Sequence, residues 1–299
     1  MPALALTLLR ALPVRPAVLL ARLLLVSYLA VRPDYRAEIR ANYRTIFGSD
    51  RPGFWVANAW QIGRNLVWMA RISSPFAGLL IDRVEVSGEN VISWFLEQNV
   101  QAVTGMSDMS PADCQGQVCC QRADGALLVN GLVMASFHHG LWEFLPALFR
   151  QYREVVLVVG AQRQVSLDSL VRRARLSQGV KLVQGAAELA RKGWNGLAGF
   201  MLDNTSRGRM VSARSGRLRM KMPGSAFRLA DMRTGKRLGG QFSVCGVMPL
   251  FCVFERGRLR VRVYPAGDES HALECLLTEV RRNPTDWVFW GKAGALEAS

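Results

Sequence analysis

Three histidines occur in the chain, and two stand together in Phe137-His138-His139-Gly140-Leu141-Trp142-Glu143. LVMASF (132–137) is a short apolar run that predicts a buried strand. LWEFLPALFRQY predicts the helix that follows, with the acid on its first turn. Strand ends that open into helices are where α/β proteins place reactive groups. A histidine and a carboxylate five positions apart across such a turn can share a hydrogen bond. The carboxylate then fixes the imidazole tautomer and stabilises the imidazolium, leaving the other ring nitrogen as a general base. Gly140 permits a close backbone approach at the turn. The competing reading is that one of the histidines is simply a satisfied structural residue.

Other chemistries lack their motifs. No G-x-S-x-G nucleophile elbow, P-loop or G-x-G-x-x-G fingerprint occurs, which weakens hydrolase, kinase and dehydrogenase readings. Cys114-x4-Cys119-Cys120 lacks zinc-knuckle spacing, and six cysteines in 299 residues do not form a disulfide framework. They fit reduced, mostly buried thiols. No metal is implied.

The elements that must position the histidine turn follow from the pattern of apolar residues. Helices are expected over RAEIRANYRTIFG, GFWVANAWQIGRNLVWMARI and ENVISWFLEQ, with a short strand at RVEVSG. The segment 103–126 has turn formers and no period, so it reads as a long loop or insertion. From 132 an α/β rhythm begins. EVVLVVGA (154–161), VKLVQG and GLAGFMLD are strands, separated by the helices SLDSLVRRARLSQ and AAELARKGW. VCGVMPLFCVFE and RLRVRVYPA form two strands around the turn ERGR, and SHALECLLTEVRRNP is a terminal helix. Strands alternating with helices predict a mixed, mostly parallel sheet flanked by helices.

A net charge of +15 calls for an acidic partner: nucleic acid, an anionic membrane surface, or an acidic protein or lipid. Residues 1–32 are Leu-rich and contain no acid. On a helical wheel Arg15, Arg22 and Arg32 fall within roughly 100° of one another, leaving the remaining arc apolar. That is the pattern of an interfacial anchor, with guanidinium groups that reach phosphates; the competing reading is a buried helix capping the core. No run of eighteen uncharged apolar residues predicts a clean transmembrane helix. Two units are therefore expected: a membrane-anchoring segment at 1–32 and a single α/β domain at 33–299.

HHGLWE resembles the His-x-x-x-x-Asp/Glu signature of glycerolipid acyltransferases, and in particular the bacterial lipid A biosynthesis (secondary) acyltransferases. RVEVSGEN (83–90), Arg175 with Gly179, Leu202-Asp203, GSAFRLADMRTG (224–235) and NPTDWVFW (283–290) resemble that family's further patterns, in its order. The resemblance implies a glycerolipid-acyltransferase-like fold on the cytoplasmic face of a bacterial inner membrane. It implies transfer of a fatty acyl group from an acyl carrier protein or CoA thioester, a co-substrate and not a resident cofactor, to a hydroxyl of an anionic lipid or glycolipid. By the same resemblance His138 is the base, Glu143 orients it, Arg175 clamps phosphate or a developing oxyanion, and Asp203 is a supporting or structural acid. Without the resemblance, Arg175 reads as an ordinary solvated charge beside Arg172 and Arg173.

The chain departs from the family at Leu141, where an Asn is usual, and in lacking Phe-Phe-Gly after Asp203. In place of that pattern, 207–221 holds six basic residues and no acid. It reads as a loop overhanging the His138–Glu143 site, where Arg214, Arg217 and Arg219 would recruit an anionic substrate; a solvated or lipid-facing surface explains it equally. Two alternatives stay open: an inactive membrane-associated paralogue of the same fold, and a basic nucleic-acid-binding protein. Against the second, the basic segment has no aromatic stacking platform and no nucleic-acid-binding motif occurs. Nucleic acid is therefore not among the expected partners.

Overall fold

A computed structural model describes residues 2–72, 84–87, 132–150, 154–159, 172–192, 196–204, 209–233, 246–256, 258–292 and 296–298. The helix expected over ENVISWFLEQ and the segment 103–126, with Cys114, Cys119 and Cys120, lie outside these residues, as does Arg207.

Four helices open the chain: α1 (Pro2–Ala11), α2 (Val14–Ala30), α3 (Pro33–Phe47) and α4 (Phe54–Ala70). Proline at the first position starts α3, and Gly48 in the left-handed region (φ 69°) ends it. Small residues set how α2 lies on α4. Ala17 and Ala21 are buried, and a Cβ on Gly63 would come within 2.8 Å of the Arg22 backbone. The opposite side of this layer is apolar and open. Leu19, Leu23, Leu24, Tyr28, Val31 and Trp60 are all exposed, and Leu176 is the sole exposed large apolar residue outside 8–60 among the described residues. No single helix among the described residues is long and apolar enough to cross a membrane; α2 and α3 together would do so only as a pair bent by 95°.

The strands that follow are β1 (Glu85–Ser87) and β2 (Leu132–Ser136), then, after helix α5 (Phe144–Arg150), β3 (Val155–Val159). A helical turn over 172–177 precedes β4 (Lys181–Gln184), α6 (Ala186–Lys192) and β5 (Leu197–Met201). β6 (Met210–Ser215) and β7 (Leu218–Pro223) lead into α7 (Gly224–Arg233), β8 (Met248–Glu255), β9 (Arg258–Val263) and α8 (Glu269–Arg282). Two 3₁₀ turns (Pro284–Asp286 and Val288–Gly291) and β10 (Glu297–Ala298) complete the described chain. Asp268 caps α8, accepting from the His271 amide at 2.9 Å.

Seven strands form one sheet in the order β1-β9-β8-β2-β5-β3-β4. β8, β2, β5, β3 and β4 run parallel; β9 returns antiparallel to β8 and carries β1 beside it. Alternation along β2 sends its side chains to two cores. Val133 and Ala135 join Phe251, Leu273 and Leu276 on one face; Met134 joins Phe144, Leu148 and Leu250 on the other. The sheet is thus covered on both faces, as a largely parallel sheet requires.

One expectation is corrected. The stretch read as a basic loop is, from 210, a β-hairpin paired from Met210↔Pro223 to Ser215↔Leu218, in a three-stranded sheet with β10. Leu218, Met220 and Met222 alternate into the core while Lys221 faces out, and that burial orders the chain despite its charge. The hairpin packs on α8 and α7.

Candidate active site

His138 and Asp203 meet because of strand register. Ser136 on β2 pairs with Met201 on the adjacent parallel β5, so the residues two positions further on, 138 and 203, come level beyond the carboxyl ends of the strands. The His138 Nδ1–H donates to Asp203 Oδ1 at 2.7 Å, and the His138 amide donates to Oδ2 at 2.7 Å. Trp287 Nε1 donates to the same Oδ2 at 3.3 Å. Asp203 is fully buried, whereas the His138 side chain keeps 21 % of its surface. With Nδ1 bound to a carboxylate, the neutral imidazole carries its lone pair on Nε2. Nε2 has no hydrogen-bond partner among the described residues.

Glu143 stands elsewhere than expected. It precedes α5 instead of lying in its first turn, and its carboxylate does not bond His138. Arg175, on the 172–177 turn, takes it bidentately: Nε donates to Oε2 at 3.0 Å and a terminal nitrogen to Oε1 at 2.5 Å. Trp142 Nε1 adds a bond to Oε1 at 3.2 Å, and the Trp142 ring packs edge-on against His138 at 4.9 Å. The reason for the correction is competition. The planar guanidinium matches a carboxylate with two bonds, and Asp203 already occupies Nδ1. Burial pushes the Glu143 carboxyl up, but Arg175 outweighs it and, with a smaller pull from His138, holds the group below its usual range. Arg175 is accordingly an ion-paired, half-buried side chain.

Glycine conformations build the turn. Gly140 has φ 67°, and a Cβ there would meet the Cys252 carbonyl at 2.2 Å. Its bare backbone lets the Leu141 amide donate to that carbonyl at 2.6 Å. Gly179 (φ 70°) leaves the space that the Arg150 guanidinium fills. His139 is fully buried, and its Nε2 faces the Asn283 carbonyl at 3.2 Å while Nδ1 has no partner among the described residues. Burial drives its pKa down, against the pull of Asp286 and Glu279, which favours the neutral ring.

The residues missed by sequence reasoning lie in the C-terminal strap 283–292. Gly140 N donates to Asp286 O at 3.0 Å, and Val288 N to His138 O at 2.8 Å. The Phe289 ring lies 4.6 Å from the His138 ring, and Lys292 Nζ donates to the Asp203 carbonyl at 2.8 Å. Amide side chains from the helical layer fix the strap in turn. Asn58 donates to the carbonyls of Thr285 and Trp287, Gln61 and Asn65 to the Asp286 carboxylate, and Asn42 to the Trp290 carbonyl. The Asn-Pro-x-x-Trp pattern marked this segment, but nothing in the sequence tied it to Asp203.

A narrow apolar slot of about 50 Å³ runs from Trp142, Glu143 and Arg175 between α5 and the sheet, along Leu145, Leu157 and Phe200. Among the described residues, none of the hydrogen bonds or ring contacts that hold His138, Glu143 and Asp203 comes from the hairpin. There Arg214 and Arg219 are cross-strand partners, and Arg217 follows Gly216 in the turn. No cluster of three or more His, Cys, Asp or Glu suited to a metal occurs among the described residues. Fold and site together define an α/β protein with a buried-carboxylate–imidazole pair across neighbouring strand ends. Neither a protein-family model nor a curated protein sequence matches the chain.

Proposed function

We propose that the chain is an O-acyltransferase of glycerolipid-acyltransferase-like fold that works at the cytoplasmic face of a bacterial inner membrane. It moves a fatty acyl group from an acyl carrier protein or CoA thioester to a hydroxyl of an anionic, lipid A-type glycolipid. One observation carries the reading: His138 has Nδ1 fixed by a buried carboxylate and an Nε2 without a partner among the described residues, and Trp142, packed on its ring, lines an apolar slot. A base of this kind takes the proton of an acceptor hydroxyl as its oxygen attacks the thioester carbonyl carbon. As the C–S bond breaks, the same proton passes to the departing sulfur. Asp203 orients the ring and stabilises the imidazolium, the function first assigned to Glu143. The Glu143–Arg175 pair, joined to His138 through Trp142, forms a charged rim where a substrate phosphate or the developing oxyanion can draw on the guanidinium. The slot is far smaller than a drug-sized ligand needs, so an entering acyl chain must move the side chains that line it.

The exposed apolar face of α2–α4, edged by Arg22, Arg32 and Arg36, suits an interfacial position. Mass spectrometry of the host's membrane lipids with and without this protein tests the reading. A glycolipid that loses one acyl chain in the protein's absence is the expected result. Unchanged lipids would favour an inactive paralogue.

A further inference from the structure

Between α3 and the start of α4 lies a cleft of about 250 Å³ lined by three arginines, Arg36, Arg40 and Arg51, with Tyr43 and Trp55 on its walls and no acid among its lining residues. The neighbouring acids are bonded to arginines outside the cleft: Asp34 to Arg32 at 2.6 Å, and Asp50 to Arg44 at 2.5 Å, with Arg40 exerting only a weaker, longer-range pull on Asp50. Arg36 is held in place. It donates to the Leu29 and Ala30 carbonyls at the end of α2 and lies over the Trp55 ring at 5.5 Å. Arg40 and Arg51 are exposed and make no ion pair among the described residues.

Arg36 and Arg40 are spaced i, i+4 on one helix, a like-charge arrangement that destabilises a helix unless something neutralises it. The far wall is the start of α4, whose N-cap Gly53 makes no side-chain cap bond, which adds positive potential. Three arginines around one cleft, with no acid in its lining, suit a phosphate, which takes paired N–H bonds. Around the cleft the surface is apolar: Val31 and Tyr35 flank Pro33 on α3, and Val56 follows Trp55, all exposed. A cationic pocket set in an exposed apolar and aromatic face matches the boundary where lipid phosphates lie above acyl chains.

We propose that this cleft binds the headgroup phosphate of an anionic membrane lipid when the α2–α4 face lies on the bilayer. The site is separate from His138 and does not rest on the acyl-transfer reading. Its test is flotation of the full chain with vesicles of phosphatidylcholine alone or with added phosphatidylglycerol. Arg40→Gln/Arg51→Gln is compared with Arg191→Gln/Arg281→Gln, which removes the same charge from exposed positions on α6 and α8. The cleft variant should lose roughly tenfold or more in affinity for anionic vesicles and nothing for neutral ones, with the control near wild type and glycerol phosphate a weak competitor. Equal loss in both variants would mean diffuse attraction and overturn the site. No loss in either would overturn it too. Strong thermal stabilisation of wild type by inorganic phosphate, without vesicles, would make a soluble phosphate the ligand and overturn the lipid assignment. Acyl transfer plays no part in these measurements, so either proposal can fail alone.

Discussion

Two carboxylates flank the imidazole of His138, and the chain holds them in opposite ways. Asp203 is fully buried and is met by an imidazole N–H, a backbone amide and an indole N–H. Glu143 keeps 17 % of its side-chain surface and is met by a guanidinium. The donors on the Asp203 carboxylate oxygens are neutral, and Lys292 reaches only its backbone carbonyl, so the carboxylate can stabilise the imidazolium when His138 takes a proton. Arg175 cancels the Glu143 charge beforehand. The difference teaches that closeness in sequence does not select the partner of a base. The selecting factors are which strand ends are level and which competing cation is near.

The largest effect that would break this comparison is on rate. Asp203→Ala should lower acyl transfer on the order of 10²–10⁴-fold, as loss of general-base function does. It should also cost about 1–3 kcal/mol of stability, because buried donors lose their acceptor. Glu143→Ala should cost less in rate. Steady-state kinetics and denaturant melts on both variants measure this, and a larger rate loss from Glu143→Ala would reverse the roles.

A smaller effect concerns pH. The Glu143 carboxyl is depressed in the folded protein, so its ion pair stabilises fully above the ordinary carboxylate value of 4.5. That contribution is lost as pH falls through the lower folded value. Thermal unfolding from pH 7 to 3 should therefore show a steeper acid loss in wild type than in Glu143→Gln. Parallel curves would mean the pair contributes nothing to stability.

The smallest effect sharpens the contrast between adjacent histidines. His139 is also depressed, but by burial, so the unfolded chain takes a proton that the folded chain refuses as pH falls below about 6.5. His139→Gln, which can still donate to the Asn283 carbonyl, should flatten stability between pH 7 and 5 while leaving transfer near wild type. A loss of transfer comparable to His138→Ala would give His139 a chemical role.

Much of the frame was legible. LVMA, VVLVV and LAGFM are runs without a polar side chain because parallel strands are buried on both faces, and proline and glycine mark the ends of α3. The hairpin at 210–223 was legible in principle from Leu218, Met220 and Met222, but Arg219 and Lys221 between them, with the other cations nearby, pointed to a loop. The His138–Asp203 bond joins residues 65 apart, and it depends on β5 lying beside β2 while β3 lies beyond it. Sequence order does not contain that crossover. The strap was out of reach for the same reason, since Trp287 finds Asp203 across 84 residues. Arg175 was singled out by pattern, yet its bond to Glu143 joins residues 32 apart and needs the 172–177 turn brought beside the start of α5.

The most direct measurement is acyl transfer by the purified chain in mixed micelles of a lipid A-type acceptor, with acyl carrier protein and CoA thioesters supplied in turn and the product identified by mass spectrometry. Wild type should add one acyl ester to the acceptor. His138→Ala should lose activity on the order of 10²–10⁴-fold with its near-UV circular dichroism unchanged. No acyl ester from either donor, or undiminished transfer by His138→Ala, would contradict the account.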